Sequence, residues 1–185
     1  MNICTSDIEK LDALIEGAKG IVITAHIHPD GDAAGSTNAL LSYLRSRGKE
    51  NVRIVYPEPL ADTISFVAAG SDKSLVLDAV TAPEGCRTAV VSADLIFCLD
   101  CNSFTRTGVL EDMMRSSSAS KVLIDHHLNP DVEAYDLVFS TPQVSSASEL
   151  LYNILLALPD VAGNVSRLPR SSAEALMTGM TTDTN

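Results

Sequence analysis

Short apolar runs that stop on an aspartate or a histidine constrain this chain more than any other feature. Residues 21–25 (Ile-Val-Ile-Thr-Ala) run into His26, residues 95–99 (Leu-Ile-Phe-Cys-Leu) into Asp100, and residues 122–124 (Val-Leu-Ile) into Asp125-His126-His127. Runs this short, rich in β-branched residues and apolar at nearly every position, suit strands covered on both faces. Residues 52–56 read as a further strand. Between the strands lie segments of helical spacing. Residues 7–18 place Ile8, Leu11, Leu14 and Ile15 on one face, with Ser6 as a cap, and residues 33–47 are closed by Gly48. A short helix is expected over 109–115. The capping box Ser146-Ala147-Ser148-Glu149 opens another through residue 158, and a last one covers 171–180. Residues 57–69 read as a loop and short helix ending at Gly70, and residues 71–93 as an edge or surface segment. Strand and helix alternate, so the expected fold is α/β: an open, mainly parallel sheet with helices on both faces, in one domain.

The chain has 185 residues, long enough to bury roughly 70% of its unfolded surface without staples. Acidic residues outnumber basic ones, 24 against 13, for a formal charge of −11. That balance argues against long duplex nucleic acid as a partner, which requires basic tracks, while leaving room for a small anionic substrate held through metal ions. Tryptophan is absent and aromatics make up 4%, a thin platform for stacking long single strands. No apolar run approaches the ~18 residues of a membrane span, and no basic-then-apolar leader opens the chain. Cys98 lies inside an apolar run, where a thiol acts as a small hydrophobe, and reduced thiols fit a cytoplasmic location.

The acids and imidazoles gather at strand ends. His26, Asp30 and Asp32 follow the first strand, Asp100 a later one, and Asp125, His126 and His127 another; Asp183 follows the last helix. In an open parallel sheet these ends line one crevice, where ligands bind. Converging carboxylates repel unless some stay protonated or cations neutralise them. Two divalent cations would balance Asp30, Asp32, Asp100 and Asp183, and a mixed carboxylate–imidazole set suits Mn²⁺, Fe²⁺, Zn²⁺ or Co²⁺ better than Ca²⁺. A shared carboxylate would set the ions about 3.5–4 Å apart, the spacing of hydrolytic two-metal sites. Plainer readings stand beside this one: Asp32 as the cap of the helix at Ala33, Asp125 as a turn residue, His28 as structural. No G-x-S-x-G, Walker A or G-x-G-x-x-G pattern is present, and Asp30-Gly31-Asp32 does not continue as an EF-hand.

The segment His26-Ile27-His28-Pro29-Asp30-Gly31-Asp32 resembles the first motif of the DHH phosphoesterase family. Asp100-Cys101-Asn102 resembles the second, Asp125-His126-His127 the signature that names the family, and Thr178-Gly179-Met180-Thr181-Thr182-Asp183-Thr184 the fourth. The resemblance implies a dinuclear, usually manganese-dependent phosphoesterase that attacks phosphorus with a metal-bridging hydroxide. His26, Asp30 and Asp100 would hold one ion; Asp32, Asp100, His126 and Asp183 would hold the other. His127 would stabilise developing charge, and Asp125 would support the histidines. Pro29 to Ser36 and Ser145 to Leu150 are similar to the bacterial nanoRNase and pAp phosphatase branch. That likeness implies short oligoribonucleotides, linear dinucleotides or 3′-phosphoadenosine 5′-phosphate as substrates, with a homodimer possible. A pyrophosphatase or exopolyphosphatase is the alternative within the family, and a non-catalytic metal-binding fragment the alternative outside it. Residues 1–185 are expected to be the catalytic domain, without the C-terminal substrate-binding domain that family members carry.

Overall fold

The computed structural model describes residues 3–68 and 72–184. Six strands form one sheet: β1 (Ile21–Thr24), β2 (Val52–Tyr56), β3 (Val76–Asp78), β4 (Leu95–Leu99), β5 (Ser120–Asp125) and β6 (Leu137–Ser140), in the order β3-β2-β1-β4-β5-β6. Every neighbouring pair is parallel, with Ile21 opposite both Val52 and Leu95 and Leu95 opposite Ser120. The α/β fold with an open parallel sheet is therefore as expected.

The strands sort their side chains by parity. Ile21, Ile23, Phe97, Val122 and Ile124 join one buried layer with residues of α1 (Thr5–Gly17), α2 (Gly31–Ser46), α5 (Ala147–Ala157) and α6 (Arg170–Asp183). Val22, Ile96, Cys98 and Leu123 face the other layer, built with α3 (Pro83–Val91) and α4 (Glu111–Ser116). Both faces being covered explains why β1 and β4 read as unbroken apolar runs.

Several local readings change. Ser6 lies within α1, whose cap position is Cys4 and makes no side-chain bond to the helix backbone. Asp30, not Asp32, caps α2: one oxygen accepts from the N–H groups of Asp32 and Ala33. Asp183 is the last residue of α6 rather than a residue beyond it, since the helix runs three residues past the expected end. Residues 71–93, read as an edge or surface segment, contain the edge strand β3, as the first of those readings has it, and helix α3, which was not expected; β6 is a second edge strand that the sequence reading passed over. The expected helix before Gly70 is a 3-10 turn, Ser65–Ala68; residues 69–71 lie outside the described residues. All four cysteines are free, and Cys98 and Cys101 are buried.

Candidate metal centre

The strand order reverses between β1 and β4, because the chain leaves β1 toward β2 and returns on the other side as β4. The carboxyl ends of β1 and β4 therefore flank a crevice at the switch point. His26 stands just beyond β1, Asp100 just beyond β4, and Asp125 ends β5. Asp100 adopts φ +52°, a left-handed conformation that aspartate tolerates better than most residues. Its N–H donates to the Ile124 carbonyl at 3.0 Å, which ties the bend to β5.

The Asp100 carboxylate stands between two groups of side chains. Its Oδ2 lies 3.3 Å from His26 Nε2, which is itself 3.9 Å from Asp30 Oδ2. Its Oδ1 lies 3.4 Å from His126 Nε2, which is also 3.4 Å from Asp183 Oδ2 and 4.0 Å from Asp32 Oδ2. Ligand atoms of His26, Asp30 and Asp100 fall within 4.8 Å of one another, as do those of Asp32, His126 and Asp183 and those of Asp100, His126 and His127. Asp100 Oδ1 is buried and accepts no hydrogen bond among the described residues. A buried carboxylate oxygen without a donor, ringed by imidazoles and acids, is a donor set that fits a divalent cation.

The supporting residues are just as specific. Asp32 is buried, and its carboxylate accepts from the N–H groups of Ala147 at 2.6 Å and Ser148 at 3.0 Å, the first turn of α5. The helix terminus thus fixes Asp32 with its partial positive charge. Sequence reasoning missed this pairing; the capping box marked a helix start but not what would dock on it. Asp125 is fully buried rather than a turn residue at the surface, and holds His127 twice, through its backbone N–H at 3.1 Å and through Nδ1 at 2.8 Å. Among the described residues it makes no bond to His126. His28 stays outside the cluster, exposed and paired with Glu58 at 2.6 Å. A cavity of about 470 Å³ between α2 and α6, with Arg45 and Glu174 in its wall, is separate from this centre.

Without a cation, protons do the neutralising. For His26, burial lowers the pKa, but the hydrogen bond and charge of Asp100 outweigh it and lift the imidazole to about 9. His126 rises to about 9 through the neighbouring Asp100 carboxylate, against burial. Burial and the Asp100 charge raise Asp32 to about 6 in spite of its α5 bonds. Burial also raises Asp183. Asp100 goes the other way: burial opposes its ionisation, but the histidines around it hold it well below the usual carboxylate range.

A sequence model of the DHH family, N-terminal domain, matches residues 20–180. The chain is similar to the cyclic-di-AMP phosphodiesterase GdpP of Geobacillus thermodenitrificans (strain NG80-2), at 27% identity over 177 residues, 94% of this chain and 26% of that protein. Among solved structures it is similar to an exopolyphosphatase-related protein from Bacteroides fragilis, with a TM-score of 0.89 and 31% identity over 98% of this chain and 51% of that one. RecJ in complex with Mn²⁺ from Thermus thermophilus shares the fold, with a TM-score of 0.53 and 18% identity over 94% of this chain and 24% of that one. The chain thus spans about half the length of one of these relatives and about a quarter of the other two.

Proposed function

Because this chain belongs to the DHH family, of which it carries the N-terminal domain, we propose that it is a metal-dependent phosphoesterase acting on short oligoribonucleotides, linear dinucleotides or 3′-phosphoadenosine 5′-phosphate. The observation that carries the reading is Asp100, with one oxygen beside His26 and the other beside His126. His26, Asp30 and Asp100 would hold one cation. Asp32, Asp100, His126 and Asp183 would hold the second, and manganese suits the mixed donor set. Bound there, the cations would supply Lewis acidity at phosphorus and lower the pKa of a bound water.

The protein's own groups supply order. Asp32 is immobilised by the N-terminus of α5, and Asp100 by the bend after β4. Asp125 takes the Nδ1 side of His127, which leaves Nε2 as the ring nitrogen available to a phosphoryl oxygen. The Geobacillus relative is a cyclic-di-AMP phosphodiesterase, which favours a nucleotide substrate. A second reading, pyrophosphate or polyphosphate hydrolysis, is favoured by the likeness to the exopolyphosphatase-related protein.

Rates with Mn²⁺ on an RNA dinucleotide, on 3′-phosphoadenosine 5′-phosphate and on pyrophosphate separate the two. The proposal expects the nucleotides to be cleaved faster. Faster cleavage of pyrophosphate would transfer the site to the second reading.

A further inference from the structure

Arginines in this chain are almost all committed. Arg47 pairs with Asp12 and Glu16, Arg115 with Glu111 and Asp131, and Arg170 with Glu174. Arg45, Arg53 and Arg167 donate to backbone carbonyls, and Arg87 stands 3.9 Å from Glu84. Arg106 is the exception: half-buried, its guanidinium makes no hydrogen bond or ion pair among the described residues. A guanidinium has five donors in a planar fork, and leaving them without partners in a partly desolvated position is costly.

Its position gives this isolation a meaning. Arg106 lies in the 3-10 segment Phe104–Leu110, in the connection that leaves Asp100. Its carbonyl accepts from the N–H of Ile27 at 2.7 Å, and Ile27 is the residue after His26. Two positions on, Gly108 has φ +55°, and a Cβ there would stand 2.6 Å from Ile27 Cγ2. Segment and loop are therefore clamped together, which sets Arg106 at the lip of the crevice between the ends of β1 and β4. The carboxylates of the centre are turned to His26 and His126 and leave the arginine alone. In a chain of net charge −11, an uncommitted cation on the segment that leaves Asp100 is suited to one class of ligand, an anion brought in from outside.

We propose that Arg106 anchors a phosphate group of the substrate, its fork taking the non-bridging oxygens at the lip of the crevice. The inference rests on the phosphoester reading above and adds a residue that the four motif segments do not contain. Arg106 binds and orients; it does not hold metal.

The test uses Mn²⁺-loaded protein with inorganic phosphate as the probe, binding measured by calorimetry, alongside KM and kcat on a 5′-labelled RNA dinucleotide. Arg106→Ala should leave the bound metal unchanged and should not lower the melting temperature, since the side chain bonds to nothing within the described residues. It should weaken phosphate binding and raise KM by about tenfold or more. Arg106→Lys should recover part of the loss, because the charge remains but the fork does not. Equal phosphate affinity in wild type and Arg106→Ala, or no phosphate binding by wild type, overturns the inference. Arg106-dependent phosphate binding without hydrolysis of dinucleotide or pyrophosphate would sustain the anchor and reject the phosphoesterase reading. Hydrolysis with KM and phosphate affinity indifferent to Arg106→Ala would do the reverse.

Discussion

The left-handed backbone at Asp100 and the raised pKa values of His26 and His126 describe one electrostatic arrangement at the scale of single residues. Two protonated imidazoles flank a carboxylate that stays ionised, so protons stand where cations would otherwise supply the charge. This makes a pH prediction with a definite sign. Both imidazoles have folded-state values of about 9, above their ordinary value of roughly 6.5. Their contribution to folding is therefore complete below about pH 6.5 and is lost as the pH climbs through about 9. Thermal melts of chelator-treated protein should fall across that window. The trend should flatten with saturating Mn²⁺, which keeps the imidazoles deprotonated throughout. Melts of the metal-free protein that hold level or rise from pH 6.5 to 9 would show that the histidines do not carry the charge.

The elements meet at the site through an unusually close helix crossing. A Cβ at Gly35 of α2 would lie 2.6 Å from the Ala175 carbonyl oxygen and 2.7 Å from the Gly179 nitrogen, both backbone atoms of α6. A Cβ at Gly179 would lie 2.8 Å from Asp32 Oδ1 and closer still to Ser148 Oγ. These contacts bring α6, and Asp183 at its end, alongside the Asp32 that α2 presents. Gly35→Ala should cost about 1–3 kcal/mol by denaturant unfolding, because backbone cannot yield as a side chain can. It should also weaken Mn²⁺ binding by moving Asp183 off the cluster. Unchanged stability and metal affinity would remove the crossing from the account. The sequence displayed some of these elements and hid others for physical reasons. Strands β1 and β4, buried on both faces, leave unbroken apolar runs, and the Asp, His and Asp-His-His that follow strands mark the crevice directly. Edge strands leave weaker traces: β3 is three half-buried residues, and β6 alternates buried and half-buried positions. Helix α3 buries only Cys86 and Val90, too few to make a stripe. In Asp30-Gly31-Asp32, either aspartate has the chemistry of a cap. What decides is the docking of α5, which takes Asp32 and leaves α2 to Asp30.

Over the whole molecule, an acidic chain gathers Asp30, Asp32, Asp100 and Asp183 at the carboxyl edge of its parallel sheet, where the strand order reverses. No helix of the described residues is long and apolar enough to cross a membrane. The relatives are about two to four times as long, so the expected division into a catalytic and a substrate-binding domain remains a proposal about the protein as a whole. The three groups of side chains that could hold a metal ion are all contributed by this chain. Bound cations would relieve the repulsion among these carboxylates and stabilise the fold by mass action, about 2.7 kcal/mol at a hundredfold excess over Kd. Asp100, with one oxygen toward His26 and the other toward His126, is placed to serve two cations at once. The most direct measurement is Mn²⁺ bound per chain, by elemental analysis after desalting, in the wild type and in Asp100→Ala, with hydrolysis of a 5′-labelled RNA dinucleotide followed on the same samples. The account predicts about two ions in the wild type, the loss of both in the variant, and the loss of turnover with them. A wild type that binds a single ion, or an Asp100→Ala protein that keeps both, would contradict it.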